Sequence, residues 1–178
     1  MSRRHVVVAG GGAAGFFAAI ACAEASPETQ VTVLEKSPQF LAKVRISGGG
    51  RCNVTHACFD GRELSGYYPR GGDALRGPFT VFQPRDTSAW FEARGVKLKT
   101  EADGRMFPVS DSSQTIIECL VGAARAAGVE LLANRGLAGA TRQAEGGFAL
   151  ALTDGEALGC QRLMLATDLS ARCDRALD

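Results

Sequence analysis

The chain has 178 residues, of which 20 are lysine or arginine and 19 are aspartate or glutamate, so its formal net charge is +1. This length predicts about one domain, and a composition of 46% apolar and 22% charged residues excludes a disordered chain. The near-neutral charge argues against a general nucleic-acid-binding protein, and no apolar run reaches the ~18 residues of a membrane span.

The first 35 residues predict a strand, a helix and a second strand. His5–Ala9 is a β-branched run that is typical of a strand buried on both faces. Ala13–Ala25 is rich in alanine, the strongest helix former, and Val31–Leu34 is a second short buried strand. A strand, a glycine turn, a helix and a strand in this order predict a βαβ unit with a parallel sheet.

Residues 37–78 are rich in Gly, Pro and Arg and show no periodicity beyond a short segment at 41–46. A long stretch without regular structure is usually functional or partly disordered. Beyond it, an apolar stripe predicts a helix over residues 114–127. The other predicted elements are a helix at 86–94 ended by Gly95, strands at 96–100, 105–109 and 129–133, a meander at 137–142, 147–153 and 157–160, and a last strand at 162–167.

The first of two glycine clusters has the spacing of a dinucleotide-binding turn. Gly10 allows a tight turn, Gly12 lets a diphosphate approach the backbone, and Gly15 lets the helix pack on the strand. Glu35 follows the second strand, where a carboxylate can accept hydrogen bonds from an adenosine ribose. This acid favours FAD or NAD over NADP, although Lys36 is adjacent, and a glycine turn without a ligand stays an alternative.

The second cluster lies in the segment Lys43–Thr55. Its three consecutive glycines can present backbone N–H groups to an anion and leave room for a flat ring. Arg51 can balance negative charge on a phosphate or a reduced flavin, and Asn53 and Thr55 can form hydrogen bonds. A glycine-rich surface loop is the alternative interpretation.

Four strings together resemble a known family: VAGGGAAG at 8–15, LEK at 34–36, ISGGGRCNVT at 46–55 and GRMFPVSD at 104–111. They are similar to the BaiN/RdsA-type NAD(P)/FAD-dependent oxidoreductases, also called aminoacetone oxidase-like flavoproteins, from residue 6 to about residue 167. The resemblance implies an α/β fold, a Rossmann-like FAD-binding parallel sheet with an antiparallel β-meander crossover. It implies an FAD/NAD(P)-binding domain over residues 1–167.

The resemblance also assigns cofactor-binding residues along an extended FAD. The diphosphate would be held by Gly10, Gly12, Ala13, Ala14 and Gly15. The adenosine side would contact Glu35, Lys36, Leu137 and Ala138. The ribityl chain or the flavin ring would contact Lys43, Ser47, Gly49, Arg51, Cys52 and Asn53, and the last strand would return to the cofactor at Ala166 and Thr167.

The chain departs from the family pattern after Thr167. Family members are considerably longer and continue with a glycine pair, whereas Asp168 stands at that position here and residues 168–178 form an atypical tail. We therefore expect a chain that is truncated relative to the family and lacks the catalytic acid or base. Its truncated edge would be a surface for self-association.

The resulting hypothesis is an FAD-dependent oxidoreductase, or its FAD-binding portion, that passes hydride between NAD(P)H, flavin and an organic acceptor. A non-catalytic dinucleotide-binding or interaction module and a plain NAD-binding enzyme are the alternatives. We expect a small-molecule substrate and no nucleic-acid or membrane partner.

The cysteines complete the sequence-based expectations. The six cysteines form no C-x-x-C pair, which indicates reduced thiols and a cytoplasmic protein, or one in an organelle after removal of a targeting peptide. The spacing of Cys52, His56 and Cys58 fits no standard zinc site, so no metal is expected. Cys52 as a redox thiol beside the flavin is a minor hypothesis.

Overall fold

The computed structural model describes residues 4–167, which form ten strands and six helices. In chain order they are β1 (His5–Ala9), α1 (Ala13–Ala25), β2 (Gln30–Leu34), α2 (Ala42–Gly50), β3 (Thr55–His56), α3 (Gly61–Gly66), α4 (Gly72–Val81), α5 (Pro84–Glu92), β4 (Leu98–Thr100), β5 (Arg105–Pro108), α6 (Ser113–Ala126), β6 (Glu130–Leu132), β7 (Leu137–Arg142), β8 (Phe148–Leu152), β9 (Ala157–Cys160) and β10 (Arg162–Leu165).

These elements form two compact units. The first contains the described residues up to Lys43 and from Leu120 onward, and the second contains Val44–Cys119. The boundaries between the units fall within the residue ranges of α2 and α6, and the single domain over residues 1–167 stays a prediction. The predicted tail at 168–178, with Asp168, lies outside the described residues.

The first unit is built on a four-stranded sheet in the order β10-β1-β2-β6. All three pairings are parallel, so the parallel sheet predicted from the sequence is confirmed. Val7, Val8, Val31 and Val33 are almost completely buried, as the β-branched runs predicted, whereas Val6 is half-buried. Helix α1 has the predicted bounds and buries Phe16, Ala19 and Ile20.

The second sheet of this unit is the antiparallel meander β7-β8-β9, which the sequence also predicted. Leu150, Leu152 and Cys160 of the meander form one buried cluster with Val7 and Leu34 of the parallel sheet. The meander therefore shares a hydrophobic core with the strands that precede the first glycine turn and Glu35. This arrangement confirms the predicted α/β fold class.

A polar group is buried within the parallel sheet and is fully hydrogen-bonded. The Thr32 hydroxyl donates to Glu130 Oε2 at 2.8 Å and lies 2.9 Å from His5 Nε2. A buried hydroxyl without partners would destabilise the sheet. The partners of Thr32 therefore explain how a threonine occupies the centre of an otherwise apolar strand.

The second unit has a small antiparallel sheet in the order β3-β5-β4. Phe107 of β5 is completely buried. Helix α5 begins at Pro84, two residues before the predicted start, because Asp86 Oδ2 accepts a hydrogen bond from the Gln83 N–H group. No helix of the described residues is long and apolar enough to cross a membrane.

The expectation of no regular structure across residues 37–78 is wrong. This stretch contains the short helices α2, α3 and α4. Helix α3 is only six residues long and is capped by Asp60, whose side chain accepts from the Arg62 and Glu63 N–H groups. Helix α4 buries no side chain and contains Gly77 and Pro78, two residue types that disfavour a helix.

The core predicts a large difference between two isoleucines. Ile20 in α1 is 0% exposed, whereas Ile46 in α2 is 73% exposed. We expect Ile20→Ala to lower the free energy of unfolding by about 2–5 kcal/mol, because it leaves a cavity in the core. Ile46→Ala should change the free energy of unfolding by less than about 1 kcal/mol. Urea unfolding measures both variants. Equal losses in the two variants would contradict this packing.

Candidate functional site

The turn between β1 and α1 depends on glycine at its first position. Gly10 has a φ of +114°, a conformation that side-chain-bearing residues rarely adopt. A Cβ atom at this position would lie 2.5 Å from the Ala166 carbonyl oxygen at the end of β10. The Gly10 N–H donates to the Leu34 carbonyl at 2.8 Å, which ties the turn to the end of β2.

Gly15 is required for a different reason, because α1 passes very close to the turn. A Cβ atom on Gly15 would lie 1.9 Å from the Gly10 carbonyl oxygen. No side chain fits in that space. The close helix–strand packing that the sequence motif predicted for this glycine is therefore present.

Gly12 lies at the helix N-cap and faces open space. No atom lies within 4 Å of the position that its Cβ would occupy, and its φ of −85° is ordinary. Ala13 and Ala14 follow in the first helical turn, whose N–H groups lack intrahelical partners. This end of α1 carries positive partial charge, so it offers an open anion-binding surface.

Glu35 is held beside this turn by two backbone amides. Its Oε2 atom accepts from the Gly11 N–H and its Oε1 atom from the Ser37 N–H, both at 2.9 Å. The Leu41 N–H donates to the Gly11 carbonyl at 2.8 Å, and the Phe40 ring fills the space beside Gly11. Gly11, Phe40 and Leu41 were not predicted as site residues; the run of three glycines was a signal for Gly11, whereas no sequence signal marks Phe40 or Leu41.

The remaining predicted residues of the first unit lie around this turn and Glu35. Gly136 packs so closely on Lys36 that a Cβ atom would come within 2.7 Å of the Lys36 Cβ. Leu137, which is half-buried, and the exposed Ala138 follow Gly136 at a bulge in β7. The Ala166 N–H donates to the Ala9 carbonyl at 2.8 Å, so Ala166 and the exposed Thr167 lie beside the glycine turn.

The second glycine cluster forms a loop at the end of α2, in the second unit. The backbone leaves the helix at Ser47, whose ψ is 148°, and Gly48, Gly49 and Gly50 have φ values of 56°, 70° and 85°. A Cβ on Gly48 would lie 2.8 Å from the Phe107 ring, whereas Gly49 and Gly50 meet no atom within 4 Å. Gly48 is thus enclosed, and the next two glycines have open space.

Arg51 follows this loop and already has partners. Its guanidinium carbon lies 4.0 Å from the centroid of the Phe107 ring, and its Nη1 atom donates to Glu101. The hydrogen bond to Glu101 raises the pKa of Arg51, and Asp111 lies 3.7 Å from the same nitrogen. Two carboxylates therefore compensate the positive charge of Arg51.

Cys52 is buried and has a φ of 62°. Burial raises the pKa of its thiol, so the thiol is protonated and weakly nucleophilic near neutral pH. Asn53 and Lys43 are exposed, and no cluster of metal-binding side chains is present between residues 4 and 167. The protonated thiol gives no support to the minor hypothesis of a redox-active Cys52.

Substitution by alanine should have a large effect on stability at Gly15 and a small effect at Gly12. Gly15→Ala should lower the free energy of unfolding by about 1–3 kcal/mol, because its methyl group collides with the Gly10 carbonyl. Gly12→Ala should change it by less than about 1 kcal/mol, because its methyl group meets open space. Urea unfolding followed by circular dichroism measures both, and a Gly12→Ala variant as unstable as Gly15→Ala would contradict the described turn.

The ion pairs around Arg51 predict a pH-dependent effect. The hydrogen bond from Lys99 holds the pKa of Asp111 below its ordinary value. A lowered pKa favours the folded state above the ordinary carboxyl range, and this contribution is lost as the pH falls through the lowered value. Lys99→Gln should raise the pKa of Asp111 in a carboxyl NMR titration, whereas Lys97→Gln on the neighbouring exposed residue should not. An unchanged pKa in Lys99→Gln would exclude the pair.

Comparison with known proteins identifies relatives of this chain. The 3-dehydro-bile acid delta(4,6)-reductase of Clostridium scindens is 31% identical over 116 residues, which cover 65% of this chain and 27% of that protein. The ribosomal RNA dihydrouridine synthase of Escherichia coli is 26% identical over 167 residues, or 94% of this chain and 40% of that protein. The chain thus spans less than half the length of either relative.

Solved structures share the fold at low sequence identity. Thermovibrio ammonificans THI4 superposes with a TM-score of 0.63 at 14% identity, over 98% of this chain and 61% of that one. The 3-ketosteroid-delta4-(5alpha)-dehydrogenase of Rhodococcus jostii RHA1 gives a TM-score of 0.64 at 14% identity, over 93% of this chain and 46% of that one.

The family model of the HI0933-like protein Rossmann domain matches residues 4–171, almost the whole chain. This match confirms the family resemblance that was drawn from the glycine-rich strings. The chain belongs to the HI0933-like Rossmann domain family.

Proposed function

We propose that this chain is the FAD-binding portion of an oxidoreductase, and that the diphosphate of FAD binds at the N-terminus of α1. The observation that carries the proposal is the open space at Gly12, directly in front of the free N–H groups of the first helical turn. Family membership and the name of one relative, a reductase, support the redox role.

The first unit would hold the adenosine diphosphate half of the cofactor. Gly12, Ala13 and Ala14 would offer backbone N–H groups to the diphosphate, while Gly10 and Gly15 shape the turn. Glu35 accepts one backbone hydrogen bond on each oxygen, and a carboxylate has about four acceptor positions, so two remain for ribose hydroxyls. The other residues proposed for this half are Lys36, Leu137, Ala138, Ala166 and Thr167.

The second unit would contact the flavin half. Gly49 and Gly50 have open space, so their backbone can approach a ring closely. The charge of Arg51 is compensated by Glu101 and Asp111, so backbone N–H groups supply the positive potential of this loop. The other residues proposed for this half are Lys43, Ser47, Cys52 and Asn53.

When bound, FAD would supply the redox chemistry, taking hydride from NAD(P)H and passing it to an organic small molecule. The described residues would orient the cofactor and shield it from water. The buried, protonated Cys52 is not assigned a chemical step. The five described cysteines are free thiols, which supports a cytoplasmic location.

A second candidate function is a non-catalytic dinucleotide-binding module that associates with itself or another protein. Strand β10 is at the edge of the described parallel sheet, and it exposes 37% of Met164 and 47% of Leu165. An edge strand with exposed apolar side chains is a surface for pairing with another chain. Flavin binding without any oxidation of NAD(P)H would favour this function over the enzyme.

Titration of the purified chain with FAD tests the proposal. We expect saturable binding, seen as quenching of flavin fluorescence and a shift of the visible absorbance band. Gly12→Ala should weaken FAD binding by at least about tenfold, because its methyl group occupies the diphosphate position. Gly122→Ala, an exposed helical glycine that also has open space, is the matched control and should leave the affinity unchanged.

Two results would contradict the FAD assignment. The first is a folded wild-type chain, verified by circular dichroism, that does not bind FAD. The second is NADH binding that FAD does not displace, which would favour the plain NAD-binding enzyme.

A further inference from the structure

A cavity of about 400 Å³ lies in the second unit, and its lining residues all fall between Asn53 and Thr87. Its size is within the range of roughly 300–1,000 Å³ that is typical of small-molecule sites. Strand β3, helices α3 and α4 and the start of α5 contribute the lining side chains. None of the cofactor-binding residues predicted from the sequence lines it except Asn53.

One part of the lining is apolar and mostly aromatic. Leu64 lies in α3 and Tyr68 lies just after its end. Phe79 and Phe82 come from α4 and its C-cap, and Pro84 begins α5. Aromatic side chains bind flat rings through stacked or edge-to-face contacts. This lining therefore favours a ring compound over a flexible chain.

Two of the lining residues each have a buried side-chain atom without a hydrogen-bond partner, namely His56 Nδ1 and Gln83 Oε1. His56 Nε2 lies 3.0 Å from the Asp103 carbonyl, which can only accept, so Nε2 carries a hydrogen. In the neutral ring Nδ1 is then an acceptor, as Gln83 Oε1 is. Unpartnered buried polar atoms are rare in folded proteins, and here both would be satisfied by a donor.

The absence of charged side chains from the lining restricts the charge of the ligand. The lining contains no aspartate, glutamate, lysine or arginine. An ionised ligand would gain no counter-charge from these side chains, which is unfavourable wherever binding removes its water. The lining thus selects for an uncharged compound.

We propose that this cavity binds a neutral, planar organic ring compound that carries a hydrogen-bond donor. The cavity wall begins at Asn53, three residues after the triple-glycine loop. This compound is the organic acceptor of the flavin, an assignment that rests on the proposed function, whereas the binding site itself does not require the flavin.

Binding of three ring probes, measured by ¹H–¹⁵N NMR of the full chain, tests the proposal. Phenol has a donor, toluene lacks one, and benzoate is charged. We expect phenol to shift signals of residues 53–87 and to bind about fivefold more tightly than toluene, because it satisfies an acceptor. Benzoate should bind more weakly than phenol.

Two variants separate the cavity from nonspecific binding. Thr87→Trp fills the cavity and should weaken phenol binding by at least about tenfold, whereas Thr80→Trp on exposed α4 surface should leave it unchanged. Gln83→Met removes one acceptor and should reduce the preference for phenol over toluene to less than about twofold.

The outcomes distinguish this inference from the proposed function. Phenol binding that persists in a folded Thr87→Trp variant, or benzoate binding as tight as that of phenol, would overturn the cavity assignment. FAD binding without phenol binding would also overturn it while leaving the proposed function intact. Phenol binding without FAD binding would support the ring-binding cavity and refute its role as the acceptor site.

Discussion

The first unit depends on the close approach of α1 to the turn that follows β1. A Cβ atom on Gly15 would lie 1.9 Å from the Gly10 carbonyl oxygen, so this contact requires glycine at position 15, while a Cβ atom on Gly10 would lie 2.5 Å from the Ala166 carbonyl oxygen. The same turn receives a hydrogen bond from Leu41 and donates one through Gly11 to Glu35. The helix N-terminus, the carboxylate of Glu35 and the end of β10 thus all lie against this one turn.

Much of this unit was predictable because its signals are local. The β-branched runs identified β1 and β2, and the spacing of three glycines identified the turn and α1 to the residue. The apolar stripe of α6 was also correct, since Ile116, Ile117, Leu120 and Ala124 are all buried. These patterns are readable because each side chain's environment is set by the period of its own strand or helix.

The second unit was less predictable because its contacts are not local. The carboxylates that pair with Arg51 come from Glu101 and Asp111, 50 and 60 residues further along the chain, and no spacing rule connects them. Helix α3 has only six residues, and α4 contains Gly77 and Pro78, which disfavour a helix when the sequence alone is considered. In this unit Cys52 and Asp111 also have positive φ, and strained backbone of this kind is typical of ligand sites.

The order of the strands in the parallel sheet has a consequence for synthesis of the protein. Strand β1 lies between β2 and β10, and its hydrogen-bond partner Gln161, directly before β10, is 156 positions from His5. At about 5–20 residues per second, the ribosome needs roughly 8–30 s to deliver the second neighbour. During that interval β1 has one open edge, so the nascent protein is vulnerable to aggregation until β10 emerges.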